Sequence, residues 1–170
     1  QNLESSIAQG VDGIVTTITN PTIFDAAVDE ALAAGIPVIT ANTDDPEGAA
    51  GSNRLAYVGQ DLEAAGYELA ATLSKQFPDG PVHVLIGVAD MNQSWAYTRA
   101  NGIARFMEDY KAANPDRKVT YEKIESGMDL STVGNRVASY VQTNPNTTAY
   151  FDVGFWEAGA AQGIRNLGYA

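Results

Sequence analysis

Two short loops hold the side chains with the most evident chemistry. Ala41-Asn42-Thr43-Asp44-Asp45 follows the apolar run Ile36-Pro37-Val38-Ile39-Thr40, and Asn92-Gln93-Ser94-Trp95-Ala96-Tyr97-Thr98-Arg99 follows Val82-His83-Val84-Leu85-Ile86-Gly87-Val88. The first loop offers an amide, a hydroxyl and carboxylates. The second offers an indole and a guanidinium. An amide both donates and accepts, and the five donors of a guanidinium form a rigid fork suited to a vicinal diol. An aromatic face suits the C–H side of a ring. Together these groups fit an uncharged polyol with a flat apolar face, such as a sugar. Asp90 and Asn92 lie in the same loop and join the candidates, with Trp95 as the stacking residue or, on the plainer reading, a core residue at a helix start.

Other chemistries are poorly served. The 170 residues include no cysteine, which removes thiolate nucleophiles and thiolate metal sites. His83 is the only histidine and falls inside an apolar run, so it reads as structural, and a His-based triad or multi-histidine metal centre is not expected. Asp44, Asp45 and Glu47 lack the glycine and closing glutamate of a calcium loop and read as a solvated loop. No cofactor is expected. The net charge of −11 provides no basic footprint for nucleic acid and favours a soluble monomer. No run approaches the roughly 18–20 apolar residues of a membrane helix.

The elements that must position these loops alternate throughout, as in parallel α/β proteins. Strands are expected at 13–18, 36–40, 55–59, 82–88, 118–125 and 148–153. Between them, Thr22 is expected to cap a helix to Ala34 with Asp25 in the capping-box position. Asp61 should cap a helix to Phe77 with Leu62, Ala65, Leu69 and Leu73 inward. A helix follows from Trp95 to Ala113. Asp129 should cap another to Gln142, burying Val133, Val137, Tyr140 and Val141. The last helix spans 156–167. The chain opens in a helical pattern (Leu3, Ile7, Ala8, then Gly10) and closes in one ending at Gly168. Both ends read as cut from a longer polypeptide. Strands 13–18 and 36–40 are expected in one sheet, and 82–88, 118–125 and 148–153 in another.

The ordered set Gly35-Ile36-Pro37-Val38-Ile39-Thr40 then Asn42, Tyr57-Val58-Gly59-Gln60-Asp61, Arg99-Ala100-Asn101-Gly102-Ile103, and Thr148-Ala149-Tyr150-Phe151-Asp152 then Ala158 to Gly168 resembles periplasmic sugar-binding proteins of the ribose-binding type. The effector core of lactose-repressor-type regulators shares that fold. The resemblance implies an α/β fold of two lobes with parallel sheets flanked by helices, joined by a hinge and closing on a monosaccharide. Residues 1–59 would be part of the amino-terminal lobe and 60–170 part of the carboxyl-terminal lobe, with a hinge crossing near 59–61. Relative to that pattern the chain lacks the first strand–helix–strand and the final strands.

The resemblance also implies site residues. Arg99 matches an arginine that reaches sugar hydroxyls from a helix start. Asn42 matches an aspartate or asparagine on the sugar, with Thr43 beside it. Thr17 ends the first strand at a contact position, and Gln60 stands at the hinge. Met128 lies near an aromatic contact, and Asp152 leads Phe155 and Trp156 as the cleft residue after the last strand. The plain alternatives are a solvated arginine, a turn asparagine and ordinary strand threonines. The implied function is capture of a monosaccharide or polyol in an interlobe cleft, without catalysis, for the permease of an ABC importer. Such a protein would be periplasmic or lipid-anchored outside the cytoplasm. The alternatives are a regulator's effector core, or an α/β enzyme acting on a sugar-like substrate.

Overall fold

The computed structural model describes residues 2–169. Two compact units emerge: residues 1–61 with 92–95, and residues 62–91 with 96–170.

In the first unit, α1 (Asn2–Gln9) ends at Gly10, whose φ of 64° is the left-handed conformation that stops a helix. Strands β1 (Ile14–Thr16), β2 (Val38–Ala41) and β3 (Ala56–Val58) form a parallel sheet in the order β1-β2-β3. Helix α2 (Pro21–Ala33) begins two residues earlier than expected. Pro21 takes the first helical position, where its missing N–H costs nothing, so Asn20 is the N-cap and Thr22 lies inside the helix. Asp25 therefore does not occupy a capping box. The core joins Ile14, Ile18, Val28, Ala31, Ile36 and Val38, with Leu3, Ile7, Val11, Phe24 and Leu32 packed against it.

The 42–56 loop departs from its expected solvated character. Asp45 is only 6% exposed and accepts the Glu47 N–H at 2.7 Å. Asp44 accepts from Thr40 Oγ1 at 2.6 Å and from Arg54 through both Nε, at 3.1 Å, and Nη2. A guanidinium ten residues downstream therefore lets the Asp44 carboxylate leave water. Burial opposes ionisation of Asp44, but the bonds from Arg54 and Thr40 outweigh it and hold the group below the usual carboxylate range.

The second unit is built on β4 (Val82–Val88), central in a parallel sheet of order β5-β4-β6 with β5 (Val119–Glu125) and β6 (Ala149–Asp152). Every β4 residue except His83 is buried, as expected for a strand covered on both faces. Helix α5 (Leu130–Thr143) is capped by Asp129, whose carboxylate accepts the Thr132 N–H at 2.9 Å. Its Val133, Val137 and Val141 pack with Leu85 and Ala160, the latter from α6 (Glu157–Asn166).

Helices α3 (Leu62–Leu73) and α4 (Ser94–Ala113) meet through glycine. A Cβ on Gly66 would lie 2.9 Å from the Arg99 carbonyl carbon, and one on Gly102 would lie 2.9 Å from the Glu63 carbonyl carbon. This contact turns α3 so that Leu62, Gly66 and Ala70 face inward, leaving Leu69 and Leu73 at 39% and 37% exposure instead of in the core. The expected continuation of α3 to Phe77 becomes a separate 3-10 turn at Ser74–Gln76, beyond which the Phe77 ring meets Tyr110 and Phe151 edge-on.

Candidate functional site

Parallel strands bring their carboxyl ends to one edge, where backbone donors and short polar side chains converge. In the first unit the pairing of Thr16 with Thr40, and of Thr40 with Tyr57, sets that edge. Thr17, Asn42 and Gln60 therefore leave β1, β2 and β3 at the same side of the sheet, and all three are exposed. Thr43 is not. It is 3% exposed, and its carbonyl accepts from the Ile18 N–H at 3.0 Å and from Thr17 Oγ1 at 3.4 Å. Its part here is to tie the ends of β1 and β2 together.

Asn42 is the only described non-glycine residue with positive φ, at 66°. Its N–H donates to the Val58 carbonyl at 3.0 Å.

Residues 92–95 belong to this first unit. Ser94 fixes them: its N–H donates to the Thr19 carbonyl at 2.8 Å and its buried hydroxyl to the Ile18 carbonyl at 2.9 Å. Asn92 and the half-buried Trp95 are thus grouped with Asn42, whereas the sequence reading placed Trp95 with Arg99. The deciding bonds run from a serine to the backbone carbonyls of Thr19 and Ile18, the latter 76 residues away, which residue spacing does not reveal.

The second unit has its own carboxyl edge. The Ser126 and Gly127 N–H groups donate to the Val88 and Ala89 carbonyls at 2.8 and 3.1 Å, so the exits of β4 and β5 run side by side. Asp90 and the exposed Met128 follow directly on these two bonds. At the end of β6, Asp152 accepts the Tyr150 hydroxyl at 3.0 Å and the Gly154 N–H at 2.6 Å. Burial raises the Asp152 carboxyl above its ordinary range and Glu157 adds to this, while the two hydrogen bonds oppose it. Arg99, on α4, donates through Nη1 to the Val153 carbonyl at 3.1 Å. Arg99 and Asp152 therefore converge on one segment, 152–154. Phe155 beyond it is 81% exposed, and Trp156 packs on the α5–α6 core.

Two tyrosines escaped the sequence reading. The Tyr57 hydroxyl lies 3.0 Å from the Asn42 carbonyl and 2.8 Å from that of Gln60. Tyr150 rests over Gly87, where a Cβ would come 2.7 Å from its ring carbon Cζ. The recoverable signal is a glycine opposite or near a strand tyrosine, and it is a weak one. His83 sits away from both edges, with Nδ1 2.8 Å from Thr120 Oγ1 and Nε2 2.8 Å from the Tyr140 hydroxyl, which donates to Glu122 at 2.7 Å. Among the described residues, no group of three or more His, Asp or Glu side chains could hold a metal ion.

Residues 1–170 match the family model described as the periplasmic binding protein domain. The chain belongs to the periplasmic binding protein domain family. Within and around that family it is 29% identical, over 98% of its length, to the xylose/arabinose-binding protein XylF of Sulfolobus acidocaldarius, and it spans 40% of that relative. It superposes on the carbohydrate transporter of Acidothermus cellulolyticus 11B in complex with myo-inositol with a TM-score of 0.80 at 26% identity, covering 98% of this chain and 54% of that one. The ABC transporter periplasmic solute-binding protein of Actinobacillus succinogenes with bound D-allose gives 0.77 at 26% identity, covering 98% and 57%. The expected α/β class, with parallel sheets flanked by helices, agrees with these neighbours. The chain spans about half the length of the relatives it matches.

Proposed function

We propose that this chain is part of a solute-binding protein that captures a monosaccharide or related polyol for an ABC importer, each unit supplying one set of hydrogen-bonding groups. The observation that carries this reading is the carboxyl edge of the first sheet. Thr17, Asn42 and Gln60 leave three parallel strands together, uncharged and able to donate and accept, with Asn92 and Trp95 held in the same unit by Ser94. A hydroxyl-rich, neutral ligand is what such groups bind. From the second unit, Arg99, Asp90, Met128 and Asp152 are the proposed partners, with Asp152 acting chiefly through the segment it holds. The relatives' sugar and polyol ligands support the substrate class.

The chain crossing near residues 59–61 is the proposed hinge, since the first unit ends at Asp61. Binding without turnover, in a monomer acting outside the cytoplasm, completes the reading. No described helix is long and apolar enough to cross a membrane, and the permease of the importer is the proposed membrane partner.

The test is thermal denaturation of the full-length protein with D-xylose, L-arabinose, D-allose, myo-inositol and a wider panel of monosaccharides and polyols. A ligand present at a hundred times its Kd stabilises the fold by about 2.7 kcal/mol and raises Tm accordingly. The bound sugar should be recovered unchanged. A panel without a single stabilising compound would refute the reading.

A further inference from the structure

We propose that Tyr57 is a positioning residue for ligand binding: its hydroxyl locks the strained turn that presents Asn42. The inference rests on the reading above, in which Asn42 touches the ligand.

The Thr43 N–H closes back on the Ala41 carbonyl at 2.8 Å, which makes a three-residue turn centred on Asn42. With φ at 66°, this turn is of the rare, strained kind. Asparagine tolerates positive φ better than most residues, yet a single L residue still adopts it at a cost. Such a conformation persists only where its surroundings enforce it. Two bonds do so here. The Val58 carbonyl takes the Asn42 N–H, and the Tyr57 hydroxyl reaches the Asn42 carbonyl. The turn is gripped on both of its peptide groups by consecutive residues of β3.

The same hydroxyl lies 2.8 Å from the Gln60 carbonyl. One proton thus faces two carbonyls, one on each loop leaving the sheet edge, and couples the exits of β2 and β3. Gly59 makes the geometry possible. A Cβ there would fall on the hydroxyl and come 2.5 Å from the ring carbon Cζ. Gly59 carries no positive φ, so its lack of a side chain serves this space and not an unusual backbone.

The experiment uses the full-length protein, with Tyr57→Phe and Gly59→Ala as two independent ways of removing the bond. Amide hydrogen exchange of the unliganded protein should quicken about five-fold at Asn42 and Thr43, the scale of one lost hydrogen bond, and stay unchanged across α2 and the rest of the core. Affinity is then measured by calorimetry for the best binder among D-xylose, L-arabinose, D-allose and myo-inositol. Each variant should weaken binding three- to ten-fold with Tm nearly unchanged. In an Asn42→Gly background, where the turn is relaxed and the amide removed, Tyr57→Phe should have a clearly smaller effect on Kd, the remainder being what the bond to Gln60 contributes.

Unaltered exchange at 42 and 43, or exchange quickened throughout the unit together with a fallen Tm, would overturn the lock. So would an equal loss of affinity in both backgrounds. If Asn42→Gly weakens binding while Tyr57→Phe does not, this inference alone fails. If Asn42→Gly leaves affinity unchanged, the assignment of Asn42 fails and the lock with it. Should none of the four sugars bind, the best binder of the wider panel takes their place; a panel without any binder removes the positioning role together with the reading it rests on, and the exchange result then bears on the turn alone.

Discussion

Substituting Gly66 by alanine separates two opposed effects whose sizes the structure sets. In an exposed helix, alanine is favoured over glycine by about 1 kcal/mol, so propensity alone predicts a more stable protein. Gly66 is not exposed. A Cβ there would stand 2.9 Å from the Arg99 carbonyl carbon and 3.2 Å from its Cα, and still closer to its oxygen. Comfortable carbon–carbon contact is about 3.5–4.0 Å. The obstacle is helix backbone, which cannot rotate away, so α3 and α4 must part by about 1 Å. Overpacking of this kind costs about 1–3 kcal/mol, and a rigid backbone places it at the upper end.

Subtracting the propensity gain leaves a loss of about 1–2 kcal/mol, or roughly 2–8 °C in Tm for a domain of this size. Scanning calorimetry of the full-length protein measures it. Gly102→Ala should behave alike, since its Cβ would come 2.9 Å from both the Glu63 carbonyl carbon and the Tyr67 nitrogen. The double variant should lose less than the sum, because the first methyl opens room for the second. A Gly66→Ala protein melting at or above the parent would refute the close-packed contact between α3 and α4.

Three further outcomes are expected. Arg54→Met strands the Asp44 carboxylate, whose side chain is 11% exposed, and should cost about 3–5 kcal/mol in urea denaturation. Because Asp44 is held below its unfolded value of 3.8, its stabilising contribution is present above that pH and lost as pH falls through the lower folded value; Arg54→Met should flatten this acid limb. Asp152 has the opposite sign. Its folded pKa lies above 3.8, so stability falls as pH rises from 3.8 through the folded value. The stability of the parent minus that of Asp152→Asn should therefore fall as pH rises from 3.8 through the folded value; a constant difference would contradict the burial argument. Arg99→Ala should weaken sugar binding by about 1.5–3 kcal/mol, the worth of a hydrogen bond with a charged group, and unchanged affinity by calorimetry would remove Arg99 from the ligand.

What was legible in the sequence was what repeats. The 82–88 run is β4 to the residue, because a strand covered on both faces must be apolar throughout. Asp129 followed by Val133, Val137 and Val141 is α5, because a cap and one buried face determine a helix locally. The inward face of α3 was misread for the complementary reason. Leucines mark a buried face only where bulky packing decides the contact, and here glycines 66 and 102 decide it by being absent of side chain. Arg54 and Asp44 were invisible as a pair, since they are joined inside an irregular loop whose path no periodicity predicts. At the candidate site, the strand ends that carry Thr17 and Asn42 are marked by the apolar runs before them, while the pairing that brings Gln60 to the same edge is seen only in the structure. Bonds from side chain to distant backbone carry no such mark. Ser94 to Ile18 and Thr19, Tyr57 to Asn42 and Gln60, and Arg99 to Val153 all depend on where a carbonyl points, which residue types do not encode.

Both units solve the same problem at their carboxyl edge with the same pair of residue types. A glycine leaves space, and a tyrosine hydroxyl enters it to hold the chain just beyond a strand. In the first unit Gly59 admits Tyr57, whose acceptors are the neutral carbonyls of Asn42 and Gln60. In the second, Gly87 admits Tyr150, whose acceptor is the Asp152 carboxylate. A bond to a charged acceptor is roughly twice as strong as one to a carbonyl. Burial and the neighbouring Asp152 charge accordingly raise the Tyr150 hydroxyl far above its ordinary pKa. The carboxylate passes that hold to the Gly154 N–H, and the segment so fixed turns the Val153 carbonyl to Arg99. The second lock is therefore the stiffer and the one that depends on pH. Protonating Asp152 weakens the acceptor on which both bonds rely, whereas the acceptors of the Tyr57 hydroxyl are peptide carbonyls, which carry no charge. If sugar affinity declines in acid, the decline should follow Asp152 and disappear in Asp152→Asn, while the Tyr57→Phe loss should stay constant through that acid range.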